Sequence, residues 1–171
     1  MFGYNHLDPK AFDPSRIPAI FGAPEAGTVS KKYNNVPTHE IVHLMKDLGW
    51  NPVAASQVKA RKSRPYVVRH AVVFQADNAK ENENGVTGQV VLINSHDAKS
   101  SYKLYYGLYR FVCANGLMVG DEFAQTKIRH MGRDSLFENI TEATRNFVAH
   151  GTQINDQIDK WRDIHMYYAS P

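Results

Sequence analysis

His39-Glu40-Ile41-Val42-His43 is the run whose residue types and spacing most openly suggest chemistry. Two histidines one helical turn apart can hold zinc while the glutamate between them activates a water, as in zinc peptidases. At about 100° per residue, however, Ile41, Leu44, Met45 and Leu48 define an apolar face nearly opposite His39 and His43, so both rings are expected toward solvent. A catalytic zinc needs enclosure and further ligands. His43 is followed by LMKDLGW, which lacks the glycine and third histidine of the extended pattern. Glu40, close to the helix N-terminus, has an ordinary role in opposing the helix dipole. No metal ligand, no cofactor and no catalytic residue is expected from this run.

Asn94-Ser95-His96-Asp97 contains the residue types of a hydrolase triad, but triad members converge from separated parts of a chain. Adjacent in sequence, these side chains are expected to build the turn after a strand, with Asn94 and Asp97 bonding to local backbone N–H groups. Cys113 is the sole thiol and has strand-like neighbours, which suits a buried structural cysteine better than a nucleophile.

Two further stretches suit an anionic ligand. Between Asp47 and Asp77 there is no acid, while Lys59, Arg61, Lys62, Arg64 and Arg69 all fall there. Tyr102, Lys103, Tyr105, Tyr106, Tyr109, Arg110 and Phe111 crowd into ten positions of the chain. Strand alternation sends Tyr102, Tyr106 and Arg110 to one face and Lys103, Tyr105, Tyr109 and Phe111 to the other. One face must pack against a helix; the other offers aromatic rings beside cations, the arrangement that holds single-stranded nucleic acid without reading its sequence. The competing accounts are lysines that discourage strand edges from pairing and tyrosines that simply suit half-buried strands.

These groups need elements to position them. Residues 1–37 hold five of the eight prolines, with Gly3, Gly22 and Gly27 between, and read as an irregular arm; 38–171 reads as one domain. Thr38 is placed to cap a short helix that Gly49 ends. Strands are expected over Tyr66–Gln75, Gln89–Asn94 and Tyr102–Cys113, the last turning at Asn115-Gly116 into a return strand from Leu117 to Val119, with another over Phe123–His130. The polar run from Ala76 to Gly88 is a long hairpin connection. From Asn139 onward Ile140, Phe147, Ile154 and Trp161 recur every seven residues, with Ala143, Gly151, Ile158 and His165 as a second seam. That predicts a helix of roughly 25 residues, about 37 Å long. It is expected to cover the sheet; a self-associating coiled coil, hence a homo-oligomer, is the alternative. The fold class is therefore α+β: an antiparallel sheet covered by a long C-terminal helix, with a short N-terminal helix.

The composition limits the function classes. The chain has 171 residues, 43% hydrophobic and 22% charged, which is enough apolar material for one sizeable core. One cysteine closes no internal disulfide, and no apolar run approaches the ~18 residues that span a bilayer. The N-terminal residues lack a secretory pattern, so the expected location is the cytoplasm, away from membranes. The net charge of +3 hides an asymmetry: residues 1–133 carry 17 Lys+Arg against 11 Asp+Glu, while 134–171 carry 3 against 6.

Val91-Leu-Ile-Asn-Ser-His-Asp97 followed by YKLYYGLYRFVCANGLMVGD from Tyr102 to Asp121 resembles the hallmark of the phage and plasmid-like proteins grouped as domain of unknown function 932. In that family an NSHDG-like turn precedes a strand that ends in a V-C-S-N-G-L-like signature, so Asn94, Ser95, His96, Asp97, Cys113, Asn115 and Gly116 are the matching positions. Tyr33–Val53 and Arg64–Phe74 also resemble the family's helix and the strand after it. Ala98 departs from the usual glycine. The resemblance implies an origin in a phage, a plasmid or another mobile genetic element, and brings no established catalytic residue. The expected function is a nucleic-acid-associated accessory protein, single-stranded DNA binding or annealing, with Lys59, Arg61, Lys62, Arg64 and Arg69 on phosphates and Lys103, Tyr105, Tyr109 and Arg110 beside the bases. The alternative is a protein-interaction module that inhibits or remodels a host defence or DNA-processing protein.

Overall fold

The computed structural model describes residues 13–25, 27–29, 33, 35–59, 64–77, 88–97, 100–111, 118–129, 132–147 and 149. Helix α1, Thr38–Asp47, starts behind Pro37 and ends where Gly49 takes φ +81°, a conformation that costs glycine little. Its buried side chains are Thr38, Ile41, Val42 and Met45, with Leu44 and Leu48 packed at the margin. Thr38 does not cap the helix, because its hydroxyl is turned into the interior instead.

Five strands follow in a simple meander in which every neighbour is antiparallel: β1 Trp50–Gln57, β2 His70–Ala76, β3 Gly88–Asn94, β4 Tyr102–Phe111 and β5 Met118–Ile128. Strand β1 is absent from the sequence reading, since Pro52 and the unpatterned WNPVAASQ argue against a strand. It survives as an edge strand, with the register slipping between Pro52 and Ala54. β2 begins four residues later than expected. Pro65, Tyr66 and Val67 form a turn, and the Val67 carbonyl accepts from the His96 N–H rather than from a strand neighbour. The two return segments expected after residue 117 are one continuous strand, β5.

Helix α2 occupies 133–147, with 149 helical again, so it begins before Asn139 and is described over 15 residues rather than about 25. The seam positions Gly151, Ile154, Ile158, Trp161 and His165 lie outside the described residues, as do Arg61, Lys62, Cys113, Asn115 and Gly116. No helix of the described residues is long and apolar enough to cross a membrane.

The sheet's first face carries the core. Trp50, Val72, Phe74, Val90, Leu92, Leu104 and Tyr106 meet Ile41 and Met45 of α1 and Leu136, Ile140 and Phe147 of α2. Tyr106 is the hinge of this packing: Phe147 stacks on it at 5.3 Å and 11°, while Trp50 meets it edge-on at 6.3 Å. A smaller cluster, Val53, Ala54, Val73 and Val91 with Tyr105 beside it, occupies the second face.

The proline-rich segment before α1 contributes to the same core. Short 3-10 turns at Pro14–Arg16 and Pro18–Phe21 bury Ala19 and Ile20, and the Ala19 N–H donates to the Gln57 side chain at 3.0 Å. Gly22 sits so close to the 65–67 turn that an added Cβ would lie 1.8 Å from the Tyr66 carbonyl oxygen and 2.8 Å from the His96 ring. Gly22→Ala is therefore expected to cost about 2–3 kcal/mol through overpacking, lowering the melting temperature by roughly 4–10 °C. An unchanged thermal melt would show that this segment is not docked as described.

Candidate functional site

The histidine pair of α1 is engaged in packing. His39 is half-buried rather than solvent-facing, because Phe21 stacks on its ring at 5.3 Å; His43 is exposed and meets His39 edge-on at 6.4 Å. The Glu40 carboxylate lies 2.7 Å from Arg133 Nη2, and the same guanidinium covers the Phe137 ring at 5.4 Å. This pair ties the first turn of α1 to the first turn of α2. Among the described residues no group of three His, Cys, Asp or Glu side chains gathers as metal ligands.

The Asn94–Asp97 run does something other than make local turn bonds. Asn94, Ser95 and His96 are buried, His96 completely. Asn94 Nδ2 donates to Thr38 Oγ1 at 3.0 Å, and Thr38 Oγ1 lies 2.8 Å from His70 Nε2. His70 Nδ1 lies 3.0 Å from the Val68 carbonyl, which only accepts, so Nδ1 carries the proton and Nε2 accepts from the threonine. One direction of donation runs through the whole chain, from Asn94 to Thr38 to His70 to Val68. The reverse orientation of the Asn94 amide would occupy the threonine proton and leave His70 Nε2 without a donor. Burial holds the His70 pKa below its usual value, consistent with this neutral ring.

His96 stacks on His70 at 5.4 Å and faces the opposite way. Its Nε2 donates to the Ala19 carbonyl at 3.1 Å, and its Nδ1 meets the Asn35 side-chain amide at 3.2 Å. Ser95 Oγ donates to Asp97 at 2.7 Å, so the hydroxyl is directed at a carboxylate and not at a histidine nitrogen. The run instead fastens the segment before α1, and α1 itself, to the end of β3. The Tyr102 hydroxyl adds a bond to the Val36 carbonyl, and its burial raises its pKa.

The cations divide. Arg64 pairs with Glu25 at 2.9 Å beside the docked segment, an exposed pair worth at most about 1 kcal/mol. Lys59 is exposed just past β1. Arg69 immediately precedes β2 and is exposed, at a position whose alternation matches Ala71 and Val73 on the second face. On that face Ala71 pairs with Ile93, Ile93 with Lys103, and Lys103 with Lys127. Two lysines thus stand directly opposite one another across β4 and β5, and Arg129 follows one residue beyond the strand, exposed. Lys127 and Arg129 were missed in the sequence, although the alternation Gln125, Lys127, Arg129 was there to show a polar face.

The next row reads Ala54, Val73, Val91, Tyr105, Gln125. Val73 and Val91 are each only 1% exposed, and Tyr105 is half-buried against them. Tyr105 therefore packs with aliphatic neighbours. The side chains of Tyr109 and Arg110 lie outside the described residues; their backbones pair with Gly120 and Val119.

A family model described as Domain of unknown function (DUF932) matches residues 25–169. Two proteins of Escherichia coli (strain K12) are similar over 121 residues: UPF0380 protein YafZ, 30% identical, and UPF0380 protein YfjQ, 29% identical. Each match covers 68% of this chain and 42% of the relative, so the chain spans less than half the length of these curated relatives. No solved structure matches.

Because unfolded histidine takes up a proton near pH 6.5 while buried His70 resists it, the folded state loses stability as pH falls through that value. The advantage of the natural protein over His70→Gln in thermal melts should shrink from pH 7.5 to 5.5. A difference independent of pH would contradict the neutral, buried ring.

Proposed function

The chain belongs to the family described as domain of unknown function 932, and from that premise we propose that it is a nucleic-acid-associated protein that binds single-stranded DNA. It would serve a phage or plasmid as a binding or annealing accessory factor, the setting that the family resemblance implies. The observation that carries the reading is the Lys103–Lys127 pair, set directly opposite each other with Arg69 and Arg129 at the same end of the face.

Like charges facing one another across a strand pair destabilise the sheet by a few tenths of a kcal/mol to about 1 kcal/mol. An arrangement that lowers stability needs a compensating anion, and a phosphate backbone supplies one. Among the described residues, the acids whose positions fall on this face are Glu122, opposite Gly107 and so about four residues (~13 Å) along β4 from Lys103, and Asp77, at the far end of β2. Six residues at ~3.3 Å each separate Asp77 by roughly 20 Å from the Ala71 row. Both acids lie farther from the Lys103–Lys127 row than a Debye length of about 8–10 Å at moderate salt, so neither stands beside the two lysines.

A second reading, the protein-interaction module, rests on Phe21 and Tyr66, which are 49% and 56% exposed and adjacent through the Gly22–Tyr66 contact. Capture of one stoichiometric host protein that survives nuclease, and is lost in Phe21→Ser with Tyr66→Ser, would favour it.

Lys127→Glu separates function from folding. It replaces repulsion with a cross-strand ion pair, so the sheet should gain about 0.5–1 kcal/mol in chemical denaturation. Affinity for a labelled single-stranded oligonucleotide in 50 mM salt should meanwhile fall about tenfold or more. A variant that is both more stable and equally good at binding DNA would sink the proposal.

A further inference from the structure

The same site, if it takes nucleic acid as just argued, has a definite manner of doing so. Its accessible groups are Arg69, Lys127 and Arg129, exposed, and Lys103, half-buried between Ile93 and Lys127. Cationic side chains of this kind meet phosphate oxygens, contacts that position a strand and carry no sequence information. Among the described residues of this face, Gln125 is the exposed group that could read a base edge, and it lies one row away from Lys103 and Lys127, beside the buried Val73–Val91 row. Tyr105 packs against Val53, Val73 and Val91, and Gln89 is 2% exposed.

The row also has a direction. Arg69 precedes β2 and Arg129 follows β5, three strand spacings apart, or about 14 Å at ~4.8 Å per spacing. At 3.4 Å per phosphate of a stacked strand, that length matches about four phosphates for four cations. Moving along the strands instead leads over the buried Val73–Val91 row toward Asp77, which repels phosphate. A polyanion is therefore directed across the strands, along one end of the face.

We infer that Arg69, Lys103, Lys127 and Arg129 form a phosphodiester-backbone site that binds a single strand irrespective of its bases, with the chain running perpendicular to the β-strands. Oligo-dT, oligo-dA and a mixed sequence should then bind within about threefold of one another, and linear inorganic polyphosphate should displace all three.

Fluorescence anisotropy with these labelled oligonucleotides, at salt concentrations from 50 to 200 mM, tests the inference. Four neutralised phosphates give a slope of log affinity against log salt of about −2.8, hence a roughly 50-fold fall over that range. Lys127→Gln with Arg129→Gln alters two exposed positions, and thermal melts check that the fold is kept. This double variant should make the slope shallower by about 1.4. A tenfold preference among the oligonucleotides, a slope unchanged in the double variant, or failure of polyphosphate to compete would each overturn the backbone site. Binding of polyphosphate with no oligonucleotide bound would uphold the phosphate site and overturn the nucleic-acid reading above. Binding of no probe at all would overturn both.

Discussion

Because neighbouring side chains of a strand point to opposite faces, the register of β2 on β3 and of β3 on β4 decides at once what becomes core and what meets the second face. A slip of one residue would carry Phe74, Leu92 and Leu104 out of contact with the helices and bring Val73, Val91 and Tyr105 in. The two faces are not interchangeable, since α1 and α2 cover the first with Ile41, Met45, Ile140 and Phe147. The helices and the meander thus hold one another in register. The same parity places Lys103 opposite Lys127 and fixes the row on which the functional proposal stands.

Apolar contact alone would tolerate small rotations of α1 on the sheet, and the buried polar chain removes that freedom. Asn94, Thr38 and His70 come from β3, α1 and β2, and each bond in the chain has only one direction compatible with the next. Groups so deeply buried are costly when unpaired, so misplacing any one of the three elements strands at least one donor or acceptor. His96 extends the fastening to Ala19 and Asn35, which explains why an irregular, proline-rich stretch can hold a fixed path against the domain. Asn94 and His96 therefore serve architecture, and the Ser95 hydroxyl is directed at Asp97.

The candidate site has the opposite character. The Lys103–Lys127 juxtaposition does nothing for the fold and works against it. Local rules agree nearly everywhere else: the apolar face of α1, the glycine at its end, the alternation of β2 to β4. A place where they conflict without structural benefit is where function is expected to reside.

Much was legible in the residues themselves. The helix from Thr38 to Gly49, the strand character of β3 and β4, the sidedness of Tyr102 and Tyr106 and the α+β class all follow from periodicity and breakers, which act over a few residues. β1 was not legible, because Pro52 and two alanines give no pattern and only pairing with β2 makes a strand of them. The role of Thr38 was misjudged for the same reason: a cap is a local bond, whereas its bond to His70 joins residues 32 apart in sequence. The five cations of 59–69 looked like one patch, yet Arg64 pairs with Glu25 while Arg69 lies at the sheet end. Local sequence determined which segments would be helix or strand and which side of each would be apolar, since those depend on the backbone's own period. Which cations and polar groups meet was decided by the tertiary structure, because strand pairing joins positions that no spacing along the chain connects.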